Sequence, residues 1–255
     1  MLTYFDDTIA AEMRLTAAID RKLLSPFQYF CVTDTVDLSK LKWNRKGYEI
    51  KELENVYTSN QMRSNHIIQS IHKYVTDLDD VKGLGFCVSI EHAKYMAHFF
   101  TKSNIPAIAL YGGVDQKTRQ EAQTKLLNGE IRFIFVVDLY NEGIDIPEVN
   151  TLLFLRPTES LTVFLQQLGR GLRLSEGKEC LTVLDFVGQA HKKYKFEEKF
   201  RALIGKTKYS VKHYVENSFF NLPKGCYIHL EKQAREYVLR NIKDSALTRN
   251  NLVRK

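Results

Sequence analysis

The sequence predicts an α/β fold, a parallel sheet with helices on both faces, with an irregular N-terminal extension and a basic C-terminal one. Three observations carry this expectation. The centre of the 255-residue chain alternates short apolar runs with longer segments of helical spacing. The apolar runs show no polar alternation, as in strands covered on both sides. The composition, 44% hydrophobic and 26% charged, is that of a globular chain long enough to bury a sizeable core.

Thr8–Leu24 has helical spacing. Pro26–Thr33, P-F-Q-Y-F-C-V-T, is aromatic and β-branched and reads as a strand. Residues 34–58 are polar and give no assignment. Gln61–Val75 reads as a helix with Ile67, Ile68, Ile71 and Val75 on one side. Leu84–Ile90 is a buried-strand run, and Glu91–Lys102 follows with Ala93, Met96, Ala97 and Phe100 at helical spacing. Pro106–Tyr111 is a second strand closing on Gly112-Gly113. Asp115 is placed to cap a helix reaching Leu127, which Asn128-Gly129 ends. Arg132–Asp138, Thr151–Leu155 and Cys180–Phe186 read as further strands, Ser160–Leu172 and His191–Leu203 as helices. Beyond Gly205 the character changes, and a charged helix is expected near Glu231–Lys243. Three regions are expected: 1–79 packing on the central domain, 80–205 as that domain, and 206–255 as a basic extension opening a further one.

Charge is uneven. Residues 191–255 hold 16 Lys and Arg against 6 Asp and Glu, whereas residues 1–190 hold 21 against 24. Such asymmetry points to a polyanion partner, nucleic acid first, although a solvated basic face fits it too. No apolar run reaches the length of a membrane span, and the acidic start M-L-T-Y-F-D-D-T lacks a signal pattern, so a cytoplasmic protein with no membrane partner is expected. The four cysteines, 31, 87, 180 and 226, are far apart and read as reduced thiols. The seven histidines show no ligand spacing, and no metal site is expected.

In parallel sheets ligands bind beyond the strand C-termini, so the loops after 90, 111, 138, 155 and 186 are where chemistry is expected. Two stretches stand out. In Q-Q-L-G-R-G-L-R, Gln166, Arg170 and Arg173 are spaced i, i+4, i+7, one face of a helix, with Leu161, Phe164, Leu165, Leu168 and Leu172 opposite. Two guanidiniums suit phosphate, and glycines 169 and 171 imply a turn or a close approach. Alone, the pattern also fits an amphipathic surface helix with solvated arginines. The second stretch is V-D-L-Y-N-E-G-I-D-I-P, Val137–Pro147, where Gly143 frees the backbone and Asp145 can accept from ribose hydroxyls. An ordinary connection with a turn Gly and Pro is its plain alternative.

With F-C-V-S-I-E-H-A before them, these stretches resemble motifs IV, V and VI of a superfamily 2 DNA/RNA helicase motor. The resemblance is to the C-terminal RecA-like domain, strongest over 80–205, and more loosely to the XPB-like bacterial restriction and repair group. It implies that Arg170 and Arg173 reach the γ-phosphate of ATP and that Gln166 helps couple the site. It implies that Gly143 and Asp145 lie near the ribose and γ-phosphate. It also implies that Ser89, Gly112, Gly113, Arg119 and Asp138 approach the nucleic-acid backbone. Val137 stands where many relatives have Thr before the Asp, and Tyr111 where many have His. The 255 residues contain no G-x-x-x-x-G-K-[ST] loop and no acidic D-E-x-[DH] box. The G-K-T at 205–207 lacks the first Gly, and I-F-V-V-D and L-T-V-L-D lack the following Glu; the latter reads as a strand ending on a capping Asp185. ATP and Mg2+ would then be held mainly by a separate N-terminal RecA-like domain, with DNA favoured over RNA as the track. A non-catalytic nucleic-acid-binding or protein-interaction module of the same fold is the alternative.

Overall fold

A computed structural model describes residues 14–45, 47–58, 60–137 and 146–253, with side chains to residue 245. The described residues open with the short helix Leu15–Asp20 (α1), within the expected Thr8–Leu24, and the long strand Phe27–Asp37 (β1). Residues 34–58, unassigned from sequence, hold the end of β1, the hairpin Trp43–Asn44 (β2) and Gly47–Tyr48 (β3), and the helix Ile50–Thr58 (α2). Gln61–Tyr74 (α3) starts on Asn60, whose side chain accepts from the Arg63 N–H.

The central alternation follows. Gly83–Phe86 (β4), Ile90–Lys102 (α4), Ala107–Leu110 (β5), Gln116–Leu127 (α5), Phe133–Val136 (β6), Thr151–Phe154 (β7) and Leu161–Gly171 (α6) lie within a few residues of their expected bounds. Asp115 does cap α5, accepting from the Thr118 N–H, and Gly129 leaves that helix at φ +74. Leu181–Gln189 (β8) runs beyond the expected end at Phe186. The helix expected from His191 begins at Phe196 (Phe196–Ile204, α7). Val211–Glu216 (α8), Tyr227–Leu230 (β9) and Lys232–Val253 (α9) complete the chain. No helix among the described residues is long and apolar enough to cross a membrane.

Among the described residues, seven strands form one RecA-like parallel sheet in the order β5-β6-β4-β7-β8-β1-β9. Its apolar strands feed both faces. Ile134 and Val136 of β6 pack with Phe164 and Leu168 of α6 and Phe200 of α7, while Phe133 and Phe135 pack with Met96 and Phe100 of α4. The strand from before the central alternation sits inside the sheet, between β8 and β9, with Phe27 opposite Leu181. One sheet thus draws strands from all three expected regions.

The start of α9 is fixed by one carboxylate. Glu231 accepts from the Thr33 N–H at 2.9 Å, from Lys73 Nζ at 2.8 Å and from Tyr74 Oη at 2.7 Å. Burial alone would raise its pKa. The Lys73 and Tyr74 hydrogen bonds, then the Thr33 N–H, outweigh burial and hold it down at about 2. The folded pKa lies below the unfolded value near 4.3, so this stabilisation is complete above that value and is lost as pH falls towards 2. Partial exposure limits it to about 1 kcal/mol. Urea denaturation at pH 6 and pH 3 should show that Glu231→Gln shrinks the acid loss by about that amount; an equal loss in both proteins would contradict it.

Candidate functional site

Helix α6 is anchored at both ends. At its start, Ser160 Oγ accepts from the Val163 N–H, Thr158 Oγ1 donates to the buried Gln167 Oε1 at 3.3 Å, and Tyr194 Oη donates to the Thr158 carbonyl. The strand feeding it is held by Arg63, which is 1% exposed. Its guanidinium pairs with Asp34 at 2.9–3.0 Å, donates to the Leu155 carbonyl at 2.9 Å and lies 4.1 Å over the Tyr57 ring.

At the exit, three consecutive carbonyls are taken. Lys178 Nζ donates to Gly171 O at 2.6 Å and Arg173 O at 2.8 Å, and the Ser25 N–H donates to Leu172 O at 2.8 Å. Lys178 also donates to Pro147 O at 3.0 Å, joining the end of the 137–147 stretch to the end of the arginine helix. Burial pushes the Lys178 amine down to about 8, against the opposing Glu148 carboxylate. Nothing in the sequence marked Lys178, Ser25 or Arg63, because all three act partly on backbone carbonyls.

The helix carries Gln166 and Arg170 on its outer side but ends at Gly171, so Arg173, expected on the same face, lies just beyond it. Gln166 and Arg173 are exposed and Arg170 is half-buried, while Phe164, Leu168 and Leu172 are buried. Leu161 and Leu165, expected on the buried side, are 36% and 37% exposed, because they flank the seam instead of filling it. The two glycines differ. A Cβ on Gly171 would sit 2.5 Å from Leu181 and 3.1 Å from Leu152, so packing on the sheet requires Gly there. A Cβ on Gly169 would meet nothing within 4 Å. Gly169 lies at i+3 from Gln166 and next to Arg170, and leaves bare backbone on that side of the helix. Alanine at the two positions is therefore expected to act with opposite signs. Gly169→Ala should stabilise by up to about 1 kcal/mol. Gly171→Ala should destabilise by about 1–3 kcal/mol, since Leu181 is fully buried. Chemical denaturation of both variants reads this directly.

The other expected residues that the structure describes lie in the turn after β5 and on the first turns of α4 and α5. Ser89 caps α4, its Oγ accepting from the His92 N–H at 3.2 Å. Gly112 and Gly113 form an exposed turn after β5, Gly113 at φ +93 with open space around both. Arg119 is half-buried on α5. Asp138, Gly143 and Asp145 fall outside the described residues. Sequence reasoning missed His92, which is fully buried, stacks on Tyr57 and accepts from the Val88 N–H through Nδ1. Burial, then the charges of Arg63 and Arg156, hold its imidazole well below its ordinary pKa. Asp185 is not a strand-end cap. It lies inside β8, 3% exposed, and takes hydrogen bonds from Lys199 and Tyr29.

A model of the helicase conserved C-terminal domain matches residues 64–175, from α3 through α6 to the residues just after its exit. Residues 64–175 are a superfamily 2 helicase C-terminal domain. The chain is 28% identical over 169 residues to a 51.5 kDa protein of a Lactococcus phage. It is 26% identical over 183 residues to the "Putative ATP-dependent helicase IRC3" of Saccharomyces cerevisiae. Those matches cover 65% and 71% of this chain, and the chain spans only 35% and 26% of the two relatives' own length. Among solved structures, the Type ISP restriction-modification enzyme LlaBIII bound to DNA matches 92% of this chain and 18% of its own, at 15% identity and TM-score 0.53. At that identity the likeness is one of fold.

Proposed function

We propose that this helicase domain is the second motor half of an ATP-dependent nucleic-acid helicase or translocase. Arg170 and Arg173 reach across a cleft to the γ-phosphoryl group of ATP bound mainly, with Mg2+, by a first RecA-like domain. Charge spreads over the phosphoryl oxygens in the transition state, and fixed guanidiniums stabilise it there. Gln166 couples the site, Gly143 and Asp145 meet the ribose side, and Ser89, Gly112, Gly113, Arg119 and Asp138 line the track, DNA favoured over RNA.

The observation that carries this reading is the bare backbone of Gly169 beside Gln166 and Arg170, on a helix fixed at both ends with Arg173 just beyond its exit. A helix that merely covers a sheet gains from Ala at an open position, whereas a helix that meets another body closely does not. The test is phosphate release. The isolated chain is expected to show no ATP turnover, since its sequence holds no phosphate loop or acidic box. Mixing it with the first motor domain of the same protein should give turnover, and Gly169→Ala should reduce that turnover while leaving the fold at least as stable. Turnover by the isolated chain would overturn the half-motor reading.

A further inference from the structure

Lys178 belongs to none of the motif stretches and sits in the turn between α6 and β8. Its own N–H donates to the Ser175 carbonyl at 3.3 Å, and Gly177 before it stands at φ +76. That turn brings the side chain back to the exit of α6, where the ammonium meets Gly171 O, Arg173 O and Pro147 O at 2.6–3.0 Å. The first two carbonyls close a helix, and a cation on them is ordinary capping. The third is not part of that helix. Pro147 ends the 137–147 stretch, in a turn closed by the Val149 N–H on Ile146 O between two buried side chains. One cation thus holds together the two segments that the motor reading assigns to ATP.

Three acceptors match the three donors of an ammonium. A neutral amine keeps two N–H groups and turns a lone pair on the third oxygen, so the tie is complete only while Lys178 is charged. The groups that face it are Glu148, next to Pro147, and Cys180, whose thiol burial keeps protonated. Asp77, Asp80 and Glu179 share with it a groove of about 310 Å³, which gives the amine access to water. Asp80 is itself paired with Lys82. Burial outweighs Glu148 and Cys180 and brings the amine down to about 8.

We propose that Lys178 is a positioning residue for ATP turnover, its ammonium joining the 137–147 stretch to the exit of α6 and thereby fixing Arg170 and Arg173 against the phosphate. The proposal rests on the half-motor reading and adds the residue that couples its two ATP segments. A cap that served the helix alone would change stability and leave the chemistry untouched. Linkage separates the two roles. The folded pKa lies below the unfolded value of about 10.4, so between about pH 8 and 10 the unfolded chain holds the proton longer. In that window this group makes the fold more stable as pH rises, and a fall in turnover there is not unfolding.

The test is steady-state phosphate release by the whole protein, first motor domain included, with saturating nucleic acid from pH 6.5 to 10. Wild-type kcat is expected to fall as pH rises through about 8, towards a level roughly tenfold to a hundredfold lower, with KM for ATP nearly unchanged. Lys178→Met should sit at that lower level throughout, with no alkaline fall. Lys178→Arg should recover most of the pH 7 rate and hold it to pH 10, because a guanidinium keeps its proton. Melting temperatures at each pH check that the variants are folded; if Lys178→Met is not, the comparison of Lys178→Arg with wild type decides. An alkaline fall shared by wild type and Lys178→Arg, or wild-type kcat in Lys178→Met at pH 7, overturns the role of Lys178 while the motor reading stands. Absence of turnover in the wild-type whole protein overturns both.

Discussion

Arg170→Ala, in a motor completed by the first RecA-like domain, is expected to lower ATP turnover about 10³-fold or more. The expectation follows from how the side chain is held. Arg170 sits in the last turn of α6, and the carbonyls of Gly171, Leu172 and Arg173 just beyond it are bound by Lys178 and Ser25. Its backbone therefore has little room to drift, and a guanidinium fixed before the reaction needs no reorganisation when charge develops. A group that acts on the transition state changes kcat and leaves KM for ATP nearly alone. Arg170→Lys should recover little, because an ammonium lacks the planar fork that meets two phosphate oxygens. Steady-state phosphate release, with KM and kcat fitted separately, checks all three statements. A fall of less than about tenfold in kcat for Arg170→Ala would remove the residue from the finger role. Oligonucleotide binding by the isolated chain serves as a control and should not change.

The outer side of the arginine helix was legible because spacing alone places 166 and 170 together, and the structure leaves Gln166 exposed and Arg170 half-buried, with Arg173 just past the helix end at Gly171. The central strands were legible because burial on both sides leaves unbroken apolar runs. What holds these parts was not. Phe27 pairs with Leu181 across most of the chain, and nothing in P-F-Q-Y-F-C-V-T says which strand it will join. The hairpin and α2 bury little beyond Tyr48, Leu53 and Tyr57, too few positions to print a period on residues 34–58. His191–Lys195 carries helix-forming lysines, yet its first residue is taken by Trp43 and Tyr48, and the helix waits until Phe196 can enter the core. Gly169 and Gly171 look alike in sequence and differ only in what stands opposite them.

Asp185 shows the same limit and leads to the largest stability effect. An Asp that closes an apolar run resembles a cap, but its partners lie 14 and 156 residues away. Lys199 Nζ meets Asp185 Oδ2 at 2.6 Å, with the two side chains 6% and 4% exposed, and Tyr29 Oη donates to the same oxygen. Burial, then the Asp185 charge, pushes the Tyr29 phenol well above its ordinary pKa, so it stays a donor. Lys199 also lies 4.8 Å over the Phe164 ring of α6. One carboxylate thus ties β1, β8 and α7 together beneath the arginine helix. Lys199→Met is expected to cost about 3–5 kcal/mol, because it leaves Asp185 charged in a dry site. In a domain of this size that is roughly 10 °C in melting temperature. Removing both charges in Lys199→Met/Asp185→Leu should be less damaging than the single change, although the Tyr29 hydroxyl then loses its acceptor. Thermal denaturation of the two single variants and the double variant forms the cycle. Additive losses would mean that the pair is solvated and that β1 is held by its ladders to β8 and β9 and by apolar packing, without the ion pair.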